Sequence, residues 1–314
     1  MRKYWVVVGI GVVCACFSAY GLAAQELVLG DTLSLMKFSD RKNPSASPIR
    51  LRFTQELEYS LTFSNLIFIN WQQEKNANQI TLLQNLQYRS KLDNDRNFKL
   101  INQFVHNLGM QFFFDSINKI QLDDNTLETR LEFKAAKNLS FSLTSLLTTR
   151  FFNGFDNSVD DQNQPIKILT SSFLTPMIWM ISTGIAWEWP SFGSINLGIS
   201  SAKLTYIRDS KVFNTPGITA FYGVPKDRRS VFDYGWTLRL LIDKVFLKRV
   251  HWTCDFLVFQ NFHESVDLNV RNLLNIRITK FLKTNIQTRL FYQEQVSKQV
   301  QLENLVSIGF SITL

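Results

Sequence analysis

Charged side chains alternate with apolar ones in several segments of this 314-residue sequence. Glu128, Arg130 and Glu132 form the clearest run, and a β-strand would place all three on one face. Buried carboxylates and guanidinium groups must be paired or hydrated. The pattern therefore predicts a hydrated lumen of mixed charge. The full set of lumen-facing candidates is Glu128, Arg130, Glu132, Arg150, Arg239, Asp243, Arg271, Arg277, Arg289 and Glu303.

His263 and Ser265 are the residues that most resemble a catalytic pair. A lipid hydrolase on a barrel wall would need a serine hydroxyl bonded to a histidine and a third group that orients the ring. Residues two apart on one strand share a face but are too far apart for a direct hydrogen bond, and no neighbour orients His263. We therefore predict no catalytic residue and no enzyme, and keep a lipid hydrolase as the least favoured alternative.

The acidic stretch 153–161 could offer oxygen ligands to calcium, but its spacing does not match a calcium-binding loop, so we expect a solvated loop. Of the three cysteines, Cys14 and Cys16 lie near the N-terminus, and Cys254 stands between Trp252 and Phe256 on an apolar face. If Cys14 and Cys16 are removed with an N-terminal signal peptide, Cys254 alone remains. A single cysteine forms neither an internal disulfide nor a zinc site. The sequence thus predicts no metal and no cofactor.

The N-terminus has the pattern of a secretory signal peptide. Arg2 and Lys3 precede a short apolar run, and Ala24 ends a small-residue cleavage site. We predict a signal peptide over 1–24, with a lipoprotein signal at Cys16 left open, a flexible periplasmic lead-in over 25–50 and one domain over 51–314. The net charge of +8 is spread along the chain without a basic cluster, so nucleic acid is not an expected partner.

From residue 51 onward, strand-like segments recur with turn signals between them. Pro176 falls inside one segment and predicts a bulge or kink, because proline cannot donate to the ladder. The alternation also shifts phase near Ser200, which predicts a β-bulge. The twelve predicted segments are 54–70, 79–91, 97–113, 125–136, 139–153, 169–189, 192–208, 230–246, 250–263, 266–280, 284–294 and 302–314.

Alternation with an apolar face continues to the end of the chain, through Val306, Ile308, Phe310 and Ile312. Short and long connections also alternate, as in outer-membrane barrels. We therefore predict an all-β fold, a single antiparallel transmembrane β-barrel of about twelve strands, with ten or fourteen also open. The alternative is a secreted β-sandwich. The expected location is the outer membrane, with its lipid as the partner; envelope protein partners are left open.

Five stretches match the pattern of a known family: 68–71 (Phe-Ile-Asn-Trp), 123–128 (Asp-Asp-Asn-Thr-Leu-Glu), 149–155 (Thr-Arg-Phe-Phe-Asn-Gly-Phe), 172–176 (Ser-Phe-Leu-Thr-Pro) and 221–224 (Phe-Tyr-Gly-Val). With them the chain resembles a Gram-negative outer-membrane family known only as domain of unknown function three-zero-seven-eight. The resemblance runs from about residue 57 to the end, and its Asn-Trp, Phe-Leu-x-Pro and Tyr-Gly-Val pieces occur in the family's order and spacing. It implies an outer-membrane barrel and brings no established activity, substrate or catalytic residue.

Two functions remain for such a barrel. A charged lumen favours a small-solute channel, and the alternative is an accessory or scaffold barrel of an envelope machine. A twelve-stranded barrel lies between those filled by side chains and those that hold an aqueous channel. The distinguishing feature is whether the lumenal arginines cluster at a constriction or pair with Glu128, Glu132, Asp243 and Glu303.

Overall fold

A computed structural model shows how these segments assemble. It describes residues 51–65, 79–94, 96–113, 119–159, 165–214, 218–246, 248–263, 265–294 and 297–313. Within them, twelve antiparallel strands form one closed barrel, as predicted. The predicted signal peptide and lead-in, and the stretch 68–71, lie outside the described residues.

Each predicted segment corresponds to one barrel strand. Two strands that the sequence did not predict, β6 (Gly154–Val159) and β7 (Pro165–Ser171), form a hairpin of their own. The barrel strands are β1 (Arg52–Asn65), β2 (Gln79–Asp93), β3 (Phe98–Phe113), β4 (Lys119–Lys134), β5 (Leu139–Thr149), β8 (Met177–Trp189), β9 (Gly193–Tyr206), β12 (Ser230–Phe246), β13 (Val250–Asn261), β14 (Val266–Arg277), β15 (Leu282–Gln293) and β16 (Ser297–Thr313).

The order around the barrel is β1-β16-β15-β14-β13-β12-β9-β8-β5-β4-β3-β2, and β1 closes the ring by pairing with β2 and β16.

The predicted bulge is present in β9. Thr183 pairs with Ser200 whereas Gly184 pairs with Gly198, so Ile199 is the extra residue. Gly198 and Ser201 are both buried, three positions apart, which is the phase shift seen in the sequence.

The prediction for Pro176 was wrong. Pro176 precedes β8, which begins at Met177, and follows a cis peptide bond from Thr175. The predicted segment 169–189 had fused the end of β7 with β8, because both are apolar and only four residues separate Ser171 from Pro176.

The two ends of the barrel differ. At one end, the turn end, connections such as 135–138 and 190–192 are short, and β1 begins and β16 ends there. At the other, the loop end, the connections 150–176 and 207–229 are long. The second of these contains a 3-10 helix (Ser210–Asn214) and a two-residue pair, β10 (Ala220–Phe221) and β11 (Val224–Pro225). A small core of Ile207, Val212, Phe213 and Val224 holds this loop together.

The outer surface of the wall is apolar. Phe141 on β5 is 62% exposed, and Trp179 on β8 is 41% exposed. Other exposed apolar side chains on barrel strands include Phe63, Leu127, Phe133, Leu143, Trp187, Trp189, Leu197, Ile199, Phe232, Tyr234, Val306, Ile308 and Phe310. Among the described residues, no helix has the length and apolar character needed to span a bilayer.

The bulge brings the backbone of β9 against Gly184 on β8. A Cβ added at Gly184 would lie 1.9 Å from the carbonyl oxygen of Leu197. We expect Gly184→Ala to lower the free energy of unfolding by roughly 1–3 kcal/mol, because the strand backbones must move apart. Urea titration of the refolded protein would measure this loss. Ser200→Ala, on the exposed side of the same bulge, is the control, and an equal effect of both changes would contradict the explanation.

Candidate functional site

The charged side chains of the barrel interior come from opposite walls. Asp124 and Glu128 lie on β4, whereas Arg239, Arg271 and Arg289 lie on β12, β14 and β15. In the ring of twelve, β4 and β14 are six strands apart in either direction, so they face each other across the lumen. Barrel closure therefore brings together residues that are more than 100 positions apart in the sequence.

Arg239 is the centre of the first cross-lumen contact. Its Nε and Nη2 donate to the two carboxylate oxygens of Asp255 on the neighbouring strand β13, both at 2.8 Å. Its Nη1 donates to Oε1 of Glu128 at 2.6 Å, across the lumen. A bidentate arginine–carboxylate pair is geometrically specific and strong. Arg239 is thus fixed to its own wall by two hydrogen bonds and to the opposite wall by one.

Asp124 is the centre of the second contact. Its Oδ2 accepts from Nη2 of Arg271 at 3.1 Å and from Nη2 of Arg289 at 2.5 Å. Arg271 and Arg289 are direct cross-strand partners in the β14–β15 ladder. Arg150, just after β5, donates to the backbone carbonyl of Asp123. We call Arg239, Arg271 and Arg289 the arginine row.

Further ion clusters lie in the barrel interior. Toward the turn end, Lys99 lies 3.0 Å from Glu132 and 2.6 Å from Glu188, and Arg130 lies 2.9 Å from Glu132. Elsewhere in the interior, Lys203 on β9 lies 3.2 Å from Asp233 on β12 and 2.7 Å from Asp267 on β14. Ion clusters therefore occur in several parts of the described interior.

A patch of uncharged polar side chains lies on β5, β8, β9 and β12. Thr237 Oγ1 lies 2.9 Å from the hydroxyl of Ser182 and 3.1 Å from that of Ser201, and Asn196 donates to Ser142 at 3.1 Å. We call this the hydroxyl wall. A cavity of about 30 Å³ lies between it and the Glu128–Arg239 pair. That volume holds about two water molecules, so no solute fits in this arrangement.

The predicted site residues occupy different places. Glu128, Arg239, Arg271 and Arg289 take part in the cross-lumen contacts, and Arg130 pairs with Glu132. Asp243 lies 2.5 Å from His251 near the turn end, both partly exposed. Arg277 is exposed at the end of β14. The side chain of Glu303 lies outside the described residues.

Sequence reasoning missed Asp124, Lys203 and Asp267. The predicted strand began at residue 125, whereas β4 begins at Lys119, which brings Asp124 into the same alternation as Glu128 and Arg130. Lys203 was missed because the bulge at Ile199 reverses which positions of β9 face inward. Counting back from Glu128 in two steps of two residues, along the same face of β4, would have found Asp124.

Stretches that carry the family resemblance meet at the loop end. The carboxylate of Asp123 accepts from the backbone N–H groups of Phe151 and Phe152 at 2.7 and 2.6 Å. Phe151 stacks on His106 and also contacts Phe173. Asp123 therefore attaches the long connection after β5 to the barrel wall.

Comparison with known proteins identifies no family. No family profile and no curated protein matches the sequence. Among solved structures, an outer-membrane channel from Pseudomonas putida F1 is 11% identical with a TM-score of 0.40, covering 88% of this chain and 100% of the other. The translocator domain of the autotransporter NalP from Neisseria meningitidis is 9% identical with a TM-score of 0.35, covering 85% and 89%. The KdgM porin is 10% identical with a TM-score of 0.31, covering 81% and 97%. A functional argument must therefore come from this chain's own geometry.

Removing Arg239 would leave the largely buried carboxylate of Glu128 and the partly buried carboxylate of Asp255 without their partner. We expect Arg239→Ala to cost about 3–5 kcal/mol of unfolding free energy. The matched control is Arg277→Ala, at an exposed position, with an expected change within about 0.5 kcal/mol. Urea unfolding in lipid vesicles measures both. Equal losses for the two variants would contradict the assignment of Arg239 to a buried ion cluster.

Proposed function

We propose that this protein is an outer-membrane β-barrel whose lumen is held closed by ion pairs between β4 and the arginine row. Release of those pairs would open a narrow channel for small solutes. The observation that carries the proposal is the single hydrogen bond from Arg239 to Glu128 across the lumen.

The outer surface supports placement in a membrane. Soluble proteins seldom expose large continuous apolar surfaces, whereas a membrane barrel needs an apolar band facing lipid. Closure of the sheet also satisfies every strand edge, as a spanning sheet in a bilayer requires. Trp187 and Trp189 at the turn end of β8 fit an interfacial aromatic belt. Export by a signal peptide and membership of the resembled family stay predictions.

The chemistry of the lumen supports a path that can take up water. A permanently closed interior is stabilised as well or better by packed apolar side chains, since buried ion pairs lose much of their attraction to desolvation. This lumen instead contains ion clusters at several heights. Such groups gain hydration when the pairs separate, so the energetic cost of opening is lower than for an apolar plug.

The asymmetry of the central contact indicates what would move. If the Arg239–Glu128 bond breaks, Arg239 keeps its bidentate partner Asp255, so no unpaired arginine remains. Glu128 alone loses its partner and faces water. The β4 side is therefore the half of the contact that we expect to separate.

An accessory or scaffold barrel is the second candidate. It is favoured by the small lumenal cavity, about 30 Å³, and by the folded connection 207–229 at the loop end. A scaffold requires no opening, so conductance separates the two functions.

Single-channel recording in planar bilayers tests the channel. We expect the wild type to show small or brief current steps, and the triple variant Glu128→Ala, Arg239→Ala, Asp255→Ala to show larger and longer ones, because it removes the whole ion cluster and leaves none of its three charges unpaired. The control is Asp243→Ala with His251→Ala, a pair on adjacent strands that does not cross the lumen. Folded protein that never conducts in any form would reject the channel and favour the scaffold.

Fluorescence quenching tests the lipid contact. Trp179, Trp187 and Trp189 are each about 40% exposed on the outer surface. We expect brominated phospholipids to quench the fluorescence of the reconstituted protein, and replacement of these three by phenylalanine to reduce the quenched fraction. Aqueous iodide is the control quencher and should have a smaller effect. Strong quenching by iodide together with no effect of brominated lipid would contradict a membrane location.

A further inference from the structure

We propose that the loop end of the barrel carries a binding site for small organic anions that have an apolar body. The site is a cleft between the β6–β7 hairpin and the 3-10 helix Ser210–Asn214. Its volume is about 340 Å³, which is the size of a small-molecule site. The cleft shares no lining residue with the lumenal ion clusters, so this inference does not depend on whether the barrel conducts.

The hairpin supplies the apolar side of the cleft. Phe155 and Leu169 are direct partners in the β6–β7 ladder, so their side chains share one face, and both line the cleft together with Ile168. Leu169 also packs against the small core of the 207–229 connection. Phe155 is 43% exposed. An apolar ligand body that packs on this ring therefore removes apolar surface from water, which favours binding.

Two lysines supply the charged part of the cleft. Lys167 lines it from β7, and Lys211 lines it from the 3-10 helix. Asp209 is the one carboxylate among the described lining residues, and its Oδ1 accepts the backbone N–H of Lys211 at 3.0 Å. The lining thus has two positive charges and one negative charge, and Asn153 and Asn214 add neutral hydrogen-bonding groups. This balance favours a ligand with an anionic group.

Two neighbouring charged residues do not change this balance. Asp156 is not a lining residue, and alternation along β6 places it on the other face of the hairpin. Arg208 precedes the 3-10 helix and lies over the ring of Phe173, 5.2 Å from its centroid. The ion pairs seen among the described residues of the loop end do not include Lys167 or Lys211. Both ammonium groups can therefore pair with a ligand.

Hydrogen bonds fix both sides of the cleft to the rest of the loop end. On the hairpin side, the backbone N–H of Gly154 donates to Oγ of Ser171 at 3.0 Å. On the helix side, the backbone N–H of Asp209 donates to Oγ1 of Thr175 at 2.9 Å, and Val212 is fully buried. A site whose walls are fixed before binding loses little conformational entropy when a ligand enters.

Three probes test the chemistry of the ligand. Benzoate carries both the charge and the apolar body, acetate carries the charge alone, and benzamide carries the body alone. Isothermal titration calorimetry measures their binding to the refolded full chain in detergent micelles, with empty micelles as the blank. We expect benzoate to bind more tightly than either of the others. Absence of benzoate binding, or acetate or benzamide binding as tightly as benzoate, overturns the inference.

Single lysine variants locate the site. We expect Lys167→Gln and Lys211→Gln each to lower the affinity for benzoate by about fivefold or more, because each removes a charged hydrogen-bond donor. The matched control is Lys226→Gln, which removes the same charge at an exposed position of the 207–229 connection that does not line the cleft, and it should leave the affinity unchanged. An equal loss in the control and in the cleft variants overturns the inference.

A second measurement needs no variant and so does not depend on how a variant folds. The lysines of the wild type are acetylated with an N-hydroxysuccinimide ester, and mass spectrometry follows the rate at each one. We expect benzoate to slow acetylation of Lys167 and Lys211 and to leave Lys226 unaffected. Equal slowing at all three lysines, or slowing at none, contradicts a binding site in the cleft.

Discussion

The need to neutralise buried charge in a narrow barrel determines the interior of this protein. A charge in a low-dielectric environment is stable only with a partner. The neighbouring strands of β4 do not supply the partners of Asp124 and Glu128; these come from the opposite wall. Closure of the barrel and pairing of the lumenal charges therefore depend on each other, because opening the ring would leave the carboxylates of Asp124 and Glu128 without partners.

The wall of the barrel could be predicted from sequence far better than its contents. Period-two alternation located all twelve strands, and the phase shift near Ser200 located the bulge, because both depend on local side-chain direction. The hairpin of β6 and β7 was missed because it lies outside the barrel, and because the apolar residues of β7 and β8 read as one strand in the sequence.

Which lumenal charges meet could not be predicted, since the partners of Arg239 and Arg271 depend on the curvature of the closed sheet. Four candidates, Glu128, Arg239, Arg271 and Arg289, take part in the cross-lumen contacts. Arg277 and Asp243, at the turn end, do not.

The two halves of the lumen have different physical roles. Arg239 keeps its bidentate bond to Asp255 on its own wall, whereas Asp124 and Glu128 accept hydrogen bonds from the opposite wall. The hydroxyl wall is held by short neutral hydrogen bonds and contributes small side chains, which is where the interior has room for water. A path through this barrel would therefore run along the hydroxyl wall and the neighbouring Arg239, with β4 as the part that closes it.

A double-mutant cycle on channel opening tests the central claim most directly. The open probability of single channels is measured for the wild type, Glu128→Gln, Arg239→Gln and the double variant. If the Glu128–Arg239 contact holds the lumen closed, either single change should raise the open probability, and the double variant should open little more than the more open single variant, because the same contact is lost in all three. Independent, additive effects of the two changes, or no effect of either, would contradict the account.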